Sequence, residues 1–174
     1  MDTVYKLTTK DITTHDGCAW VVGEWRETNG EGDLCGPGWL HCYSDPLVAL
    51  MHNPIHANID KPRLWRCEAE GAMKDDRGLK RGYTRLRLVE EMPTEAVTIR
   101  QRARYAILCT RAVLPVWHTW ADAYMAGDVT EAEAAWAAAE ATWAAWATTE
   151  AAAAAAEAAH LDLPALARQA MEEG

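Results

Sequence analysis

The sequence predicts an α+β protein: a small, mostly antiparallel sheet with one short helix, followed by a C-terminal helical hairpin with a long Ala/Trp-rich helix. Three observations carry this. Up to about Met92, short aromatic and β-branched runs alternate with turn dipeptides. From Pro93 onward, apolar residues recur at helical spacing. The stretch from Thr130 to His160 is rich in alanine, the strongest helix former, and has no internal Gly or Pro. The implied division is a strand-rich head over residues 1–92 and a helical region over 93–174 that packs on it as one cooperative unit.

In the head, Val4–Leu7, Ala19–Trp25, Trp39–Tyr43, Leu64–Ala69 and Tyr83–Val89 are of strand length. Asp16-Gly17, Asn29-Gly30, Gly36-Pro37-Gly38, Asn53-Pro54 and Arg77-Gly78 punctuate them. The last strand alternates, with Tyr83, Arg85 and Arg87 on one face and Thr84, Leu86 and Leu88 on the other. One helix interrupts the strands: Ser44 or Asp45 caps it, Pro46 takes the first helical position, Leu47, Leu50 and Met51 form its stripe, and Asn53-Pro54 ends it.

In the second half, Thr94 caps a helix with Val97, Tyr105, Leu108 and Ala112 as apolar positions and Arg100, Arg104 and Arg111 along another side. Pro115 begins or kinks a segment reaching Met125, and Gly127-Asp128 breaks it. Thr130-Glu131-Ala132-Glu133 is a capping box opening the alanine helix, and a short final helix, Pro164–Met171, follows Asp162. Trp136, Trp143 and Trp146 share one face of the alanine helix, and Trp117 and Trp120 sit three apart before it. The expected result is antiparallel helices with interleaved indoles, a face that would also serve a homodimer.

The 174 residues, 49% hydrophobic, suffice for one domain with a real core. No run approaches the roughly 20 apolar residues of a membrane span, and the N-terminus lacks the pattern of an export signal, so a soluble, cytoplasmic protein is expected. A net charge of -9 argues against bulk electrostatic binding of nucleic acid. That charge is uneven, however. Residues 1–113 carry sixteen bases and sixteen acids, so the excess acidity belongs to the C-terminal part. Between Lys74 and Arg111, ten bases outnumber five acids, and arginine's planar fork suits phosphate. One reading is a set of solvated or internally docked bases; the other is a local site for a nucleotide-like anion, with Arg85, Arg87, Arg100, Arg104, Tyr5 and His41 as the ligand-binding residues.

The densest passage is Leu34-Cys35-Gly36-Pro37-Gly38-Trp39-Leu40-His41-Cys42-Tyr43-Ser44-Asp45-Pro46. Cys35, His41, Cys42 and Cys67 are chemically able to bind zinc, but no paired C-x-x-C exists, and adjacent His41 and Cys42 point to opposite strand faces. Free cysteines and no metal are therefore expected, in keeping with an odd total of five. Cys35 or Cys42 with His41 and Asp45 would make a nucleophile, base and orienter on paper. His52 and His56 form an H-x-x-x-H pair, but Pro54 lies between them and is expected to break the helical spacing. No G-x-G-x-x-G, Walker loop, H-E-x-x-H or G-x-S-x-G occurs, and no cofactor is implied.

Val4-Tyr5-Lys6, the Leu34–Cys42 element, Asp45-Pro46-Leu47 and Glu68-Ala69-Glu70-Gly71 resemble a family of uncharacterised phage and prophage proteins. That family has an L-C-x-x-G-(W/F)-H-x-C-like element, and Leu40 lengthens the interval before His41 here. The resemblance runs to about Thr110 and often continues into an alanine-rich tail. It implies a phage accessory protein in the cytoplasm of an infected bacterium, acting in host takeover or anti-defence. The expectation that joins these readings is a non-enzymatic binding module for a nucleotide-like anion or a host protein. Two alternatives stand beside it. Tyr5 or the arginines, an aromatic-histidine strand and Glu68 or Glu70 are similar to parts of ADP-ribosyltransferases, and the Trp136, Trp143, Trp146 face suits a homo-oligomeric structural subunit.

Overall fold

The computed structural model describes residues 1–113, 125–126 and 161–172. The chain divides into two compact units, Met1–Glu95 and Ala96–Gly174. The first is built from β1 (Asp2–Thr8), β2 (Thr13–Thr14), a single 3-10 turn, β3 (Cys18–Ala19), β4 (Arg26–Glu27), β5 (Leu40–Cys42), α1 (Pro46–His56), β6 (Arg63–Asp75) and β7 (Arg81–Met92). This is the α+β class that the alternation of strands and turns predicts.

β6 and β7 form a long hairpin around a turn in which Arg77 and Gly78 both have positive φ. Asp75 Oδ1 accepts from Gly78 N, and the turn closes through Asp76 N to Lys80 O at 2.9 Å. β1 pairs antiparallel along the first half of β6, while β4 and β5 share the far edge of β7. Beyond β5 the chain meets β1: Tyr43 and Tyr5 exchange two backbone hydrogen bonds of 2.8 Å. The path β1-β6-β7-β5 thus returns to its own starting edge, so one end of the sheet closes like a small barrel and few ladder groups are left open there.

Such curvature needs irregular positions. Between the pairs Glu70↔Arg85 and Met73↔Tyr83, Gly71 and Ala72 stand opposite Thr84 alone. Gly71 has φ +89°, a Cβ there would lie 2.3 Å from Thr84 Oγ1, and Ala72 N donates to that same oxygen at 3.0 Å. Beside this bulge, which lies on β6, the buried face of β7 changes phase. Alternation predicts Tyr83 on the arginine face, whereas it is buried with Leu86 and Leu88 and its hydroxyl donates to Asp2 at 2.6 Å. The extra residue on β6 adds local twist at this point of the hairpin.

The enclosed core gathers Val4, Trp20, Leu40, Cys42, Trp65, Cys67, Ala69, Tyr83, Leu86 and Leu88. Trp65 Nε1 donates to Thr8 Oγ1 at 2.9 Å, so this buried indole has its partner. On the other face of β1, α1 packs against the strand, and Val48, Ala49, Leu50 and Met51 are buried.

Four head elements differ from expectation. Residues 20–25 are not strand: Gly23, at φ +85°, makes a turn with Glu24 N donating to Val21 O, and Val21 and Val22 are exposed. β6 and β7 extend well beyond Leu64–Ala69 and Tyr83–Val89, because the bulge at Gly71 absorbs a glycine that otherwise reads as a strand end. α1 runs through Pro54 to His56, and Ala57 N donates to Asn53 O. Asn53 stabilises this last turn with its side chain, donating to Ile59 O and accepting from Ile59 N.

In the second unit, α2 (Ile99–Val113) and α3 (Leu163–Glu172) pack together. α2 begins at Ile99 rather than after Thr94, because Thr98 and Gln101 form a reciprocal cap: Gln101 N donates to Thr98 Oγ1 and Thr98 N to Gln101 Oε1. Asp162 caps α3 through Ala165 N at 3.0 Å, as its position predicts. The expected segment 115–125 is described only at residues 125–126, and the alanine helix with its tryptophan face lies outside the described residues. No described helix is long and apolar enough to cross a membrane.

Candidate functional site

Arg85 and Arg87 lie on the outer face of β7, each opposite a glutamate of β6. Arg85 pairs with Glu70 and, at 2.8 Å, with Glu27 of β4; Arg87 pairs with Glu68 at 2.5 Å. Trp25 lies over both guanidiniums at 4.3 and 4.7 Å from its ring centroid. Further along the hairpin, Arg66 pairs with Glu90 and Arg63 with Glu91. These arginines are therefore matched by carboxylates and stacked, rather than gathered around an open anion site. A hairpin folded about Arg77-Gly78 sets Glu68 and Glu70 opposite Arg87 and Arg85, so the pairing was readable from the turn. The same pairs engage the two glutamates of the transferase-like reading.

Of the other expected residues, Arg100 and Arg104 belong to α2 in the second unit, and Arg104 is 3% exposed rather than lining a solvated side. Tyr5 is tied by its backbone to Tyr43, and His41 lies on β5 between buried Leu40 and Cys42. Tyr5 and His41 are thus at the closed end of the sheet, where the Cys35-to-Pro46 passage, the hairpin turn and α1 meet.

This end holds the densest set of reactive groups in the head. Lys80, just before β7, donates from Nζ to Cys35 Sγ at 2.9 Å, and Cys35 is exposed. His41 Nε2 donates to the carbonyl of Leu34, which leaves Nδ1 as an acceptor. Burial holds the His41 pKa below its ordinary value against that hydrogen bond, and Lys6, Lys80 and His15 push the same way. Beneath it, Lys6 is 7% exposed; its Nζ donates to His41 O at 2.5 Å and lies 4.9 Å from the Trp20 ring centroid. Burial lowers the Lys6 pKa, with Cys42, Cys67 and Cys18 opposing.

On α1, the continued helix restores the spacing of His52 and His56. Their ring centroids are 5.1 Å apart, so Pro54 does not separate them, contrary to expectation. His56 also stacks on Tyr43 at 6.0 Å, and its Nδ1 shares a hydrogen bond of 3.2 Å with the Tyr43 hydroxyl. Burial pushes the His52 pKa down to about 3, with His56 adding to the shift. Burial also lowers that of His56, with Lys80 and His41 adding and Asp76 opposing.

The cysteine readings separate in space. Cys42 and Cys67 are in the core, where burial raises each thiol to about 12, whereas Cys35 faces solvent beside Lys80. Among the described residues no group of three His, Cys, Asp or Glu is arranged to hold a metal ion. Asp45 caps α1, its Oδ1 accepting from Leu47 N at 2.8 Å and Val48 N at 3.2 Å. Sequence reasoning missed Lys80 and Tyr43. Lys80 stood in a counted basic run, but its meeting with Cys35 depends on pairing β5 with β7.

No curated protein and no solved structure matches the chain. Residues 3–100 match the family model described as Domain of unknown function (DUF7666), a stretch that includes Cys35, His41, Tyr43, His52, His56 and Lys80, and the chain belongs to that family.

Proposed function

We propose that this protein is a non-enzymatic binding module for a nucleotide-like anion, and that the contact is made at the closed end of the sheet rather than on the arginine face. One observation carries the reading: Lys80, His41 and His56 come from three separate elements into mutual electrostatic reach, beside an exposed Cys35 and with Asp76 as the acid acting on His56. A lysine beside neutral imidazoles offers an anion one cation, and an imidazole that takes up a second proton adds an N–H donor and a further positive charge. A bound phosphate would favour protonation of the rings, so binding tightens as pH falls toward the lowered value of about 4 that His56 has without a ligand. The resemblance to phage and prophage proteins supports an accessory role in an infected bacterium, where host nucleotides are available ligands.

Thermal-shift measurements with inorganic phosphate, nucleotides and cyclic nucleotides test this. A ligand at about a hundred times its Kd contributes about 2.7 kcal/mol, a shift that is readily measured. The expected result is a shift in the wild type that is lost in Lys80→Ala and retained in Arg87→Ala. No shift with any ligand, or a shift lost only in Arg87→Ala, contradicts the proposal.

A further inference from the structure

We infer that Cys35 and Lys80 form an oxidative crosslink site, a covalent modification that staples the loop after β4 to the β6–β7 hairpin. Cys35 is an exposed free cysteine, and its sulfur accepts from a primary amine, Lys80 Nζ, at 2.9 Å. The two residues are 45 positions apart, so their proximity is made by the fold and not by local sequence. Both sides of the contact are held. On the loop side, Gly36 N donates to Asp33 O at 2.8 Å, Gly30 N donates to Gly38 O at 3.0 Å, and Trp39 Nε1 donates to Gly32 O at 3.1 Å. Lys74 Nζ, from β6, reaches Gly32 O as well at 2.7 Å. On the hairpin side, Lys80 O accepts from Asp76 N, and Arg81 pairs with Asp75 at 2.6 Å.

The chemistry follows from that geometry. Hydrogen peroxide oxidises the Cys35 thiol to a sulfenic acid and is itself reduced, releasing water. The Lys80 amine, after losing a proton to solvent, then attacks the sulfenic sulfur with its lone pair. The N–S bond forms, the S–O bond breaks, and the oxygen leaves as a second water. The net change is one thiol, one amine and one peroxide giving one sulfenamide and two waters. A thiol reductant cleaves the N–S bond and restores both side chains. Cys42 and Cys67 are buried and lack this access. The crosslink does not depend on what the closed end binds, and it is read by mass in ligand-free buffer.

The test treats the full-length protein with hydrogen peroxide and follows it by intact mass and peptide mapping. The expected product has lost two hydrogens, yields a peptide joining Cys35 to Lys80, reverts with dithiothreitol, and melts higher by roughly 5 to 15 °C because a long loop is closed. Lys80→Gln should remove the joined peptide while Cys35 still oxidises, and Cys35→Ser should remove both. A wild-type product in which Cys35 is only sulfinic acid or an intermolecular disulfide overturns the inference. So does a two-hydrogen loss at Cys35 that persists in Lys80→Gln, since that is condensation with a backbone nitrogen. A wild type that forms the crosslink but binds no anion would overturn the functional proposal alone, and one that binds an anion but forms no crosslink would overturn this inference alone, because the two assays share no readout.

Discussion

His52 shows how a residue's surroundings fix its chemistry. It is 7% exposed, and burial pushes its pKa down to about 3 from an ordinary value of 6.5. The folded state therefore favours the neutral ring. Its stabilising contribution is complete above pH 6.5 and is lost as pH falls from there toward the folded value, because the unfolded chain binds the proton more tightly. Urea denaturation across pH 7 to 4 should show stability falling by up to about 1.4 kcal/mol per pH unit from this group, and His52→Gln should have a shallower slope. Equal slopes would refute the assignment. Gly71 is the second such position. Its φ of +89° and the 2.3 Å approach of a Cβ to Thr84 Oγ1 predict that Gly71→Ala costs about 1 to 3 kcal/mol in equilibrium unfolding, with Thr84→Ser unable to relieve the backbone part. Neither residue's role was legible from the sequence. His52 was visible as half of a spaced pair, but its burial depends on what α1 covers, and Gly71 reads as a strand end unless the partner strand is known.

At the scale of elements, caps and turns were the most legible features because their causes are local. Asp45 before Pro46 and Asp162 before Leu163-Pro164 do what their positions imply, and Asp45→Ala should cost α1 about 1 kcal/mol of stability in thermal or urea unfolding. The Thr98-to-Gln101 box was equally local, yet Thr94 was the more prominent candidate because it follows Pro93. Strands were less legible, since their extent is decided by partners: β7 can be 12 residues long because β6 runs beside it and a bulge takes up the mismatch. The arginine face illustrates the consequence for function. Arg85 and Arg87 fit either docked bases or an anion site in one dimension and are paired once the hairpin closes. A double-mutant cycle on Arg87 and Glu68 should give a coupling of only about 0.2 to 1 kcal/mol, because both side chains remain partly exposed. A coupling near zero would mean the pair leaves Arg87 available to a ligand.

For the whole molecule, the decisive feature is a sheet that returns to its own edge. Pairing of Tyr5 with Tyr43 brings the Cys35-to-Pro46 passage against the hairpin turn, and so gathers Cys35, Lys80, His41, Tyr43 and His56 from sequence positions that no spacing rule connects. The passage was recognisable as dense in chemistry, but its partner Lys80 was not, since the two lie 45 positions apart in the chain. The charge balance of residues 1–113 points the same way: with equal numbers of acids and bases, a local excess has to come from which groups the fold leaves together. The proposed anion contact lies at this end and not on the arginine face. Titrating inorganic phosphate or ATP into isotope-labelled protein and following the histidine ring and arginine side-chain resonances by NMR tests it most directly. The expected result is saturable shifts at His41 and His56 with their apparent pKa values raised, and unmoved Arg85 and Arg87 signals. Shifts confined to Arg85 and Arg87, or no shifts at His41 and His56 at saturating ligand, would contradict it.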